Sequence, residues 1–313
     1  MAIERSAVEW GLLLASPSAE EMGERRDYYR SLLEHGDGAI HSAWLPDHLM
    51  KRDAPRLEGW TGITWYAAQF PSYRFGHTVI CQSYRNPALL AKMAATLDYL
   101  TEGRFTLGIG AGWQGDEYLA YGYEFPRPGI RIEQLAEAID VCRALWTQSP
   151  ATYEGQHYHV RNAYSEPRPA NPIPILVGGR RPKFMQVAAA KADIWQWDGP
   201  IERYRPPYEL LVQNCAAIGR DLASVRLSTS GEIYLPDNPA DFPTEPSTSF
   251  DDPAQDPDGA YAGEMDWVMG PRPEDVIAQL RPLIDLGVSH VVLYFWDRPS
   301  LDRFVRDVIP AFR

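Results

Sequence analysis

Cysteine is scarce in this chain. Cys81, Cys142 and Cys215 are its three in 313 residues, an odd number at wide spacing, which fits reduced thiols in a cytoplasm and not a disulfide framework or a zinc site. Long apolar runs are missing too: none reaches the roughly 18 residues that a membrane-crossing helix needs. The opening MAIERSAVEWGLLLAS is charged, and its apolar part is too short for an export signal. Positive charge is in deficit, 30 Lys and Arg against 42 Asp and Glu, giving a net −12 and a pI near 5.1. That balance argues against nucleic acid or an anionic membrane as the main partner. No early Gly-x-Gly-x-x-Gly fingerprint, solenoid repeat or heptad pattern occurs. What is abundant is core material, 45% hydrophobic and 12% aromatic, enough for one domain spanning residues 1–313.

The pattern centres on residues 85–122, RNPALLAKMAATLDYLTEGRFTLGIGAGWQGDEYLAYG. Pro87 suits a first helical turn, and Leu89, Leu90, Met93, Ala94, Leu97 and Leu100 share one face at three- and four-residue spacing. Glu102-Gly103 stops that helix. Phe105–Gly110 then reads as a strand covered on both faces, leaving through a glycine-rich exit. Further strand signals fall at residues 8–15, 42–45, 73–81, 173–179, 192–197, 225–235 and 290–296, alternating with helical segments that include 130–146. Eight strands alternating with helices predict a (β/α)8 TIM barrel with right-handed crossovers in preference to an open doubly wound sheet. Residues 152–169 suggest a small hairpin outside the barrel. Residues 236–264 form a Pro/Asp-rich insertion after the seventh strand, either a solvated segment or a lid over the site.

The segments GxxVxxxxYRNPALLAKMAATLD, EGR, LGIGAGW, EYxAYG and PxPGIRIEQLAEAIDV, in that order, resemble the bacterial luciferase-like flavin and deazaflavin oxidoreductases. The resemblance is dense from about Ser42 to Trp197 and resumes from Gly270. It implies a luciferase-like barrel holding coenzyme F420, the deazaflavin, or alternatively FMN.

Residues at the strand ends carry the chemistry. Asp47-His48 follows the second strand. A His there exchanges protons near neutrality, and a neighbouring carboxylate orients it. The resemblance matches this pair to the Asp-His of the deazaflavin branch, with proton transfer by His48 and cofactor contact by Asp47; a surface turn with Asp47 as helix cap is the alternative. Trp44 either lines the same cavity or sits in the core. The resemblance further puts a non-prolyl cis peptide at Thr78-Val79, within His77-Thr78-Val79, beneath the ring. It also runs Ala111, Gly112 and Trp113 beside the cofactor. Where the deazaflavin-dependent sugar-phosphate dehydrogenases carry a Glu, this chain has Trp113, which disfavours a sugar phosphate and favours an apolar or aromatic substrate. Gly178, Gly179 and Arg180, with Arg181 and Lys183 beside them, precede a helix opened by Pro182. Free N–H groups and the helix dipole there suit a phosphate.

The resulting expectation is an F420-dependent oxidoreductase acting on a small organic molecule. A two-component FMN monooxygenase with a reductase partner, and a non-catalytic flavin-binding barrel, are the alternatives. Membership of the family implies a homodimer packed through barrel helices.

Overall fold

The computed structural model describes residues 8–14, 22–36, 38–50, 56–243, 256–257 and 266–313, with side chains in the first helix from residue 27 onward. In chain order these form β1 (Glu9–Leu13), α1 (Met22–Gly36), β2 (Ser42–Leu45), α2 (Gly59–Gln69), β3 (Arg74–His77), α3 (Pro87–Leu100), β4 (Phe105–Gly110), α4 (Gly115–Ala120) and α5 (Pro128–Thr147). They continue with β5 (Ile175–Gly178), α6 (Pro182–Lys191), β6 (Ile194–Gln196), α7 (Ile201–Ala217), β7 (Arg226–Ile233), α8 (Pro273–Leu286), β8 (Val288–Phe295) and α9 (Arg298–Arg303). Each barrel strand pairs in parallel with the next, and β8 returns to β1, so the sheet closes. This is a (β/α)8 barrel, as the alternation predicts.

Local chemistry explains the element ends. Glu58 caps α2 by accepting from Trp60 N at 3.1 Å and Thr61 N at 2.7 Å. Asn86 caps α3, accepting from Ala88 N at 2.9 Å, with Pro87 in the first turn. The expected third strand is interrupted: β3 ends at His77, the Thr78-Val79 peptide is cis, and Ile80–Cys81 resumes pairing beside β4. The hairpin lies at Ala151–Glu154 and His159–Ala163, outside the barrel. Of the insertion, a short turn at Pro239–Asp241 is described; most of it, on which the lid reading falls, lies outside the described residues.

The barrel interior is packed by Trp44, Leu176, Ile194 and Val292, with Leu13 and Val79 against them. Trp44 is 2% exposed, and it occupies space that Gly76 leaves: a Cβ there would lie 2.4 Å from its ring. The larger core fills the layer between barrel and helices, where each fully buried aliphatic or aromatic side chain contributes about 1.5–3 kcal/mol. Among the described residues no helix is long and apolar enough to cross a membrane.

Candidate active site

The carboxyl ends of β2, β4, β5 and β6 and the cis turn after β3 surround a cavity of about 360 Å³. Asp47, His48, Thr78, Val79, Ala111, Gly112, Trp113, Gly178, Gly179 and Arg180 all line it, so ten of the sequence-predicted residues converge there. Trp44 and His77 do not. Trp44 belongs to the barrel interior and donates to Ser42 Oγ at 2.9 Å. The His77 ring turns out of the barrel towards α2, stacked on Trp60 with centroids 5.2 Å apart, and its Nε2 lies 3.3 Å from Gly59 O. Burial pulls its pKa down to about 3. Period-2 alternation puts Trp44 inside and His77 outside a strand wall, a distinction that motif matching does not make.

His48 is held by Glu117, not by its neighbour Asp47. Its Nδ1 lies 2.9 Å from Glu117 Oε1, and its ring meets Trp113 edge to face at 5.8 Å. With Nδ1 engaged, Nε2 is the nitrogen left to the cavity. Glu117 is fully buried and also accepts from Leu49 N at 3.1 Å and Tyr84 Oη at 3.0 Å. Burial alone would raise its carboxyl; the His48 bond, the Leu49 N–H and Tyr84 together bring it below the usual carboxylate range.

Asp47 is directed elsewhere. Arg85 grips it with two bonds, 2.7 and 2.8 Å, Cys81 N donates at 3.1 Å, and the same guanidinium reaches Glu58. Burial lifts the Asp47 carboxyl above its ordinary range against the pull of Arg85 and the Cys81 N–H; the fork-on-carboxylate geometry is that of a buried ion pair. Asp47 therefore fastens the strand end on which His48 rides. Cys81 lies 2.8 Å from Tyr118 Oη, and burial pushes its thiol up to about 12, too high for a thiolate nucleophile.

Backbone freedom shapes the rest of the wall. Gly112 has φ +77°, and a Cβ there would meet Tyr118 Oη at 2.0 Å. At Gly108 a Cβ would fall 1.6 Å from His77 O, so the cis turn seats directly on this strand. Gly178, Gly179, Arg180 and Arg181 bring the amino end of α6 to the cavity, and Pro128 and Arg131 bring that of α5. Arg180 lies over the Trp197 ring at 5.2 Å and Arg131 over Phe125 at 4.0 Å. Lys183 turns away to Glu133 at 2.6 Å and Gly129 O at 3.1 Å. Sequence reading missed Glu117, Arg85, Arg131 and Gln196; EYxAYG and YRNP carry the family resemblance, but side-chain partners far apart in the chain leave no local signal that assigns their residues to the site.

The F420-dependent glucose-6-phosphate dehydrogenase of Kineococcus radiotolerans is 27% identical over 95% of both chains. An F420-dependent secondary alcohol dehydrogenase solved with an F420-acetone adduct superposes with TM-score 0.81 at 19% identity, over 98% of this chain and 100% of that one. The monooxygenase RslO1 of Streptomyces bottropensis superposes at 0.76 with 16% identity, over 97% and 100%. The luciferase-like monooxygenase family matches residues 14–245. The chain is an enzyme of the luciferase-like monooxygenase family.

Proposed function

We propose that this enzyme is an F420-dependent oxidoreductase that moves a hydride between the deazaflavin and a small apolar or aromatic organic substrate. The observation that carries the reading is the convergence on one cavity of His48, held through Nδ1, the Thr78-Val79 turn, and the cationic helix end at 178–181. A relative matched over 95% of both chains and named as F420-dependent supports the cofactor in that reading.

The residues present fit the cofactor. Gly110 and Gly178 make room for the Val79 side chain in the cavity wall: a Cβ on either would meet it at 2.6 or 3.3 Å. The first-turn N–H groups of α6, with Arg180 and Arg181, suit the phosphate at the end of the ribityl arm. When bound, the deazaflavin supplies the hydride chemistry. The chain's own part is acid–base and steric. His48 gives or takes the substrate proton at Nε2 while Glu117 fixes Nδ1–H and balances the imidazolium. Trp113 walls the space beside His48 with an apolar face.

The acids near that space support an apolar substrate. Asp47 and Glu117 have both oxygens engaged, and Asp198 lies 3.6 Å from Arg203. At the position of Trp113, where the sugar-phosphate dehydrogenases carry a Glu, this chain has no carboxylate.

The test is a fluorescence titration of the purified protein with F420 and, separately, with FMN. Tight F420 binding with weak FMN binding is expected; the reverse order would make oxygen the co-substrate, and binding of neither would sink the cofactor assignment. His48→Ala should lower turnover by about 10²–10⁴-fold while F420 affinity stays within roughly tenfold, about 1.4 kcal/mol.

A further inference from the structure

Gln196 ends β6 in the wall of the same cavity and is 5% exposed. Its Oε1 accepts from Thr78 Oγ1 at 2.5 Å, and its Nε2 is buried without a partner. Leaving a buried donor unpaired is unfavourable, so a side chain pinned in this way belongs to a site whose occupant completes it.

The neighbours say what that occupant presents. Thr78, which pins the amide, opens the cis peptide whose Val79 packs into the space left by the wall glycines Gly110 and Gly178. On the other side, Gly179 N donates to the Gln196 carbonyl at 3.2 Å, tying β6 to the turn that precedes α6. Gln196 therefore stands between the ring support and the anion-binding corner. The amide is a neutral donor, suited to a carbonyl oxygen and not to a phosphate, for which Arg180 and Arg181 stand at the next strand end.

We propose that Gln196 is a cofactor-binding residue, donating from Nε2 to a carbonyl on the pyrimidinedione edge of the ring, where that edge adjoins the ribityl arm. The inference rests on the deazaflavin reading above. Thr78 is its positioning residue, since the hydroxyl occupies Oε1 and turns the NH2 towards the ligand.

The experiment compares wild type, Gln196→Met and Arg180→Ala, each titrated with F420 and with the phosphate-free ring–ribityl fragment of F420. Gln196→Met keeps the length and removes the donor. It should weaken both ligands about tenfold, one decade corresponding to about 1.4 kcal/mol, whereas Arg180→Ala should weaken F420 alone. Gln196→Glu, which turns a donor into a charged acceptor, should lose at least as much as Gln196→Met. Wild-type affinity in Gln196→Met for both ligands overturns the proposal and leaves the cofactor reading standing. A loss confined to F420 also overturns it, by moving Gln196 to the phosphate. Wild type that binds neither F420 nor FMN removes both readings. Thermal melts check the fold of each variant. If the Met variant does not fold, Gln196→Asn, one methylene shorter, takes its place, and undiminished binding there overturns the proposal equally.

Discussion

Glu117 shows how much one buried carboxylate does in this site. It is fully buried, it takes three hydrogen bonds from two segments, the turn after β2 and Tyr84, and one of those donors is His48 Nδ1. A carboxylate on Nδ1 sets the tautomer that leaves Nε2 to exchange a proton, and it stabilises the imidazolium once formed. In Glu117→Gln the size is kept, but the amide can offer an N–H to Nδ1 and so stabilise the wrong tautomer. Steady-state kinetics with F420 should show kcat/KM lowered by on the order of 10²–10⁴, as for other orienting carboxylates, with F420 affinity within about threefold. Its stability effect has a definite sign. The folded-state pKa lies below the ordinary 4.5, so the unfolded chain binds this proton first as pH falls. The stabilisation is present above pH 4.5 and disappears as pH drops through the folded value. Melts of Glu117→Gln should lose their difference from wild type at the acid end.

At the scale of elements, the site is an assembly of strand ends, each fixed by the turn and helix that leave it. The turn of β5 into α6 is the clearest case: two glycines, then Arg180 and Arg181, then Pro182 in the first helical turn. If this turn holds the cofactor phosphate, Arg181→Ala should weaken F420 by about tenfold and raise its dissociation constant less steeply with added salt, since one fewer cation takes part. Equal salt dependence in variant and wild type would remove Arg181 from the phosphate site. This element was legible in the sequence because its signals are local: glycine, cation and proline within five residues. The eight strands and the cis turn position were legible for the same reason, through apolar runs and family motifs. α4 was not. It is six residues long, begins at Gly115, and lies inside what reads as a glycine-rich exit, so no stretch long enough for a helical period exists. Missing it hid Glu117. Likewise adjacency in sequence points to Asp47 as the partner of His48, whereas the pairing of Asp47 with Arg85, 38 residues away, is a tertiary fact.

The barrel as a whole buries two histidines that the proposed chemistry does not use, and they set how it meets acid. His77 lies between β3 and α2 with its pKa pulled down to about 3 by burial, with the Arg85 charge adding to the effect. His290 lies inside the barrel on β8, its Nδ1 2.8 Å from Ser228 Oγ and its ring 5.0 Å from that of Trp44, and burial lowers it to about 4. Unfolded, each titrates at its ordinary value near 6.5. Between 6.5 and the folded values the unfolded chain binds protons that the folded chain refuses, so stability must fall as pH falls across that window and flatten below it. Each pH unit across which one such group differs corresponds to about 1.4 kcal/mol at most, and the two act together down to about 4. Thermal melts at pH 7, 6, 5 and 4 should therefore show Tm dropping from below pH 6.5, before the carboxylates begin to protonate. His290→Gln keeps a polar side chain of similar reach towards Ser228 and removes the titration, so its Tm should decline less steeply over the same interval even if it starts lower. A variant whose decline parallels wild type would show that His290 is protonated in the folded barrel, and that the opposing charge of Glu9 outweighs burial.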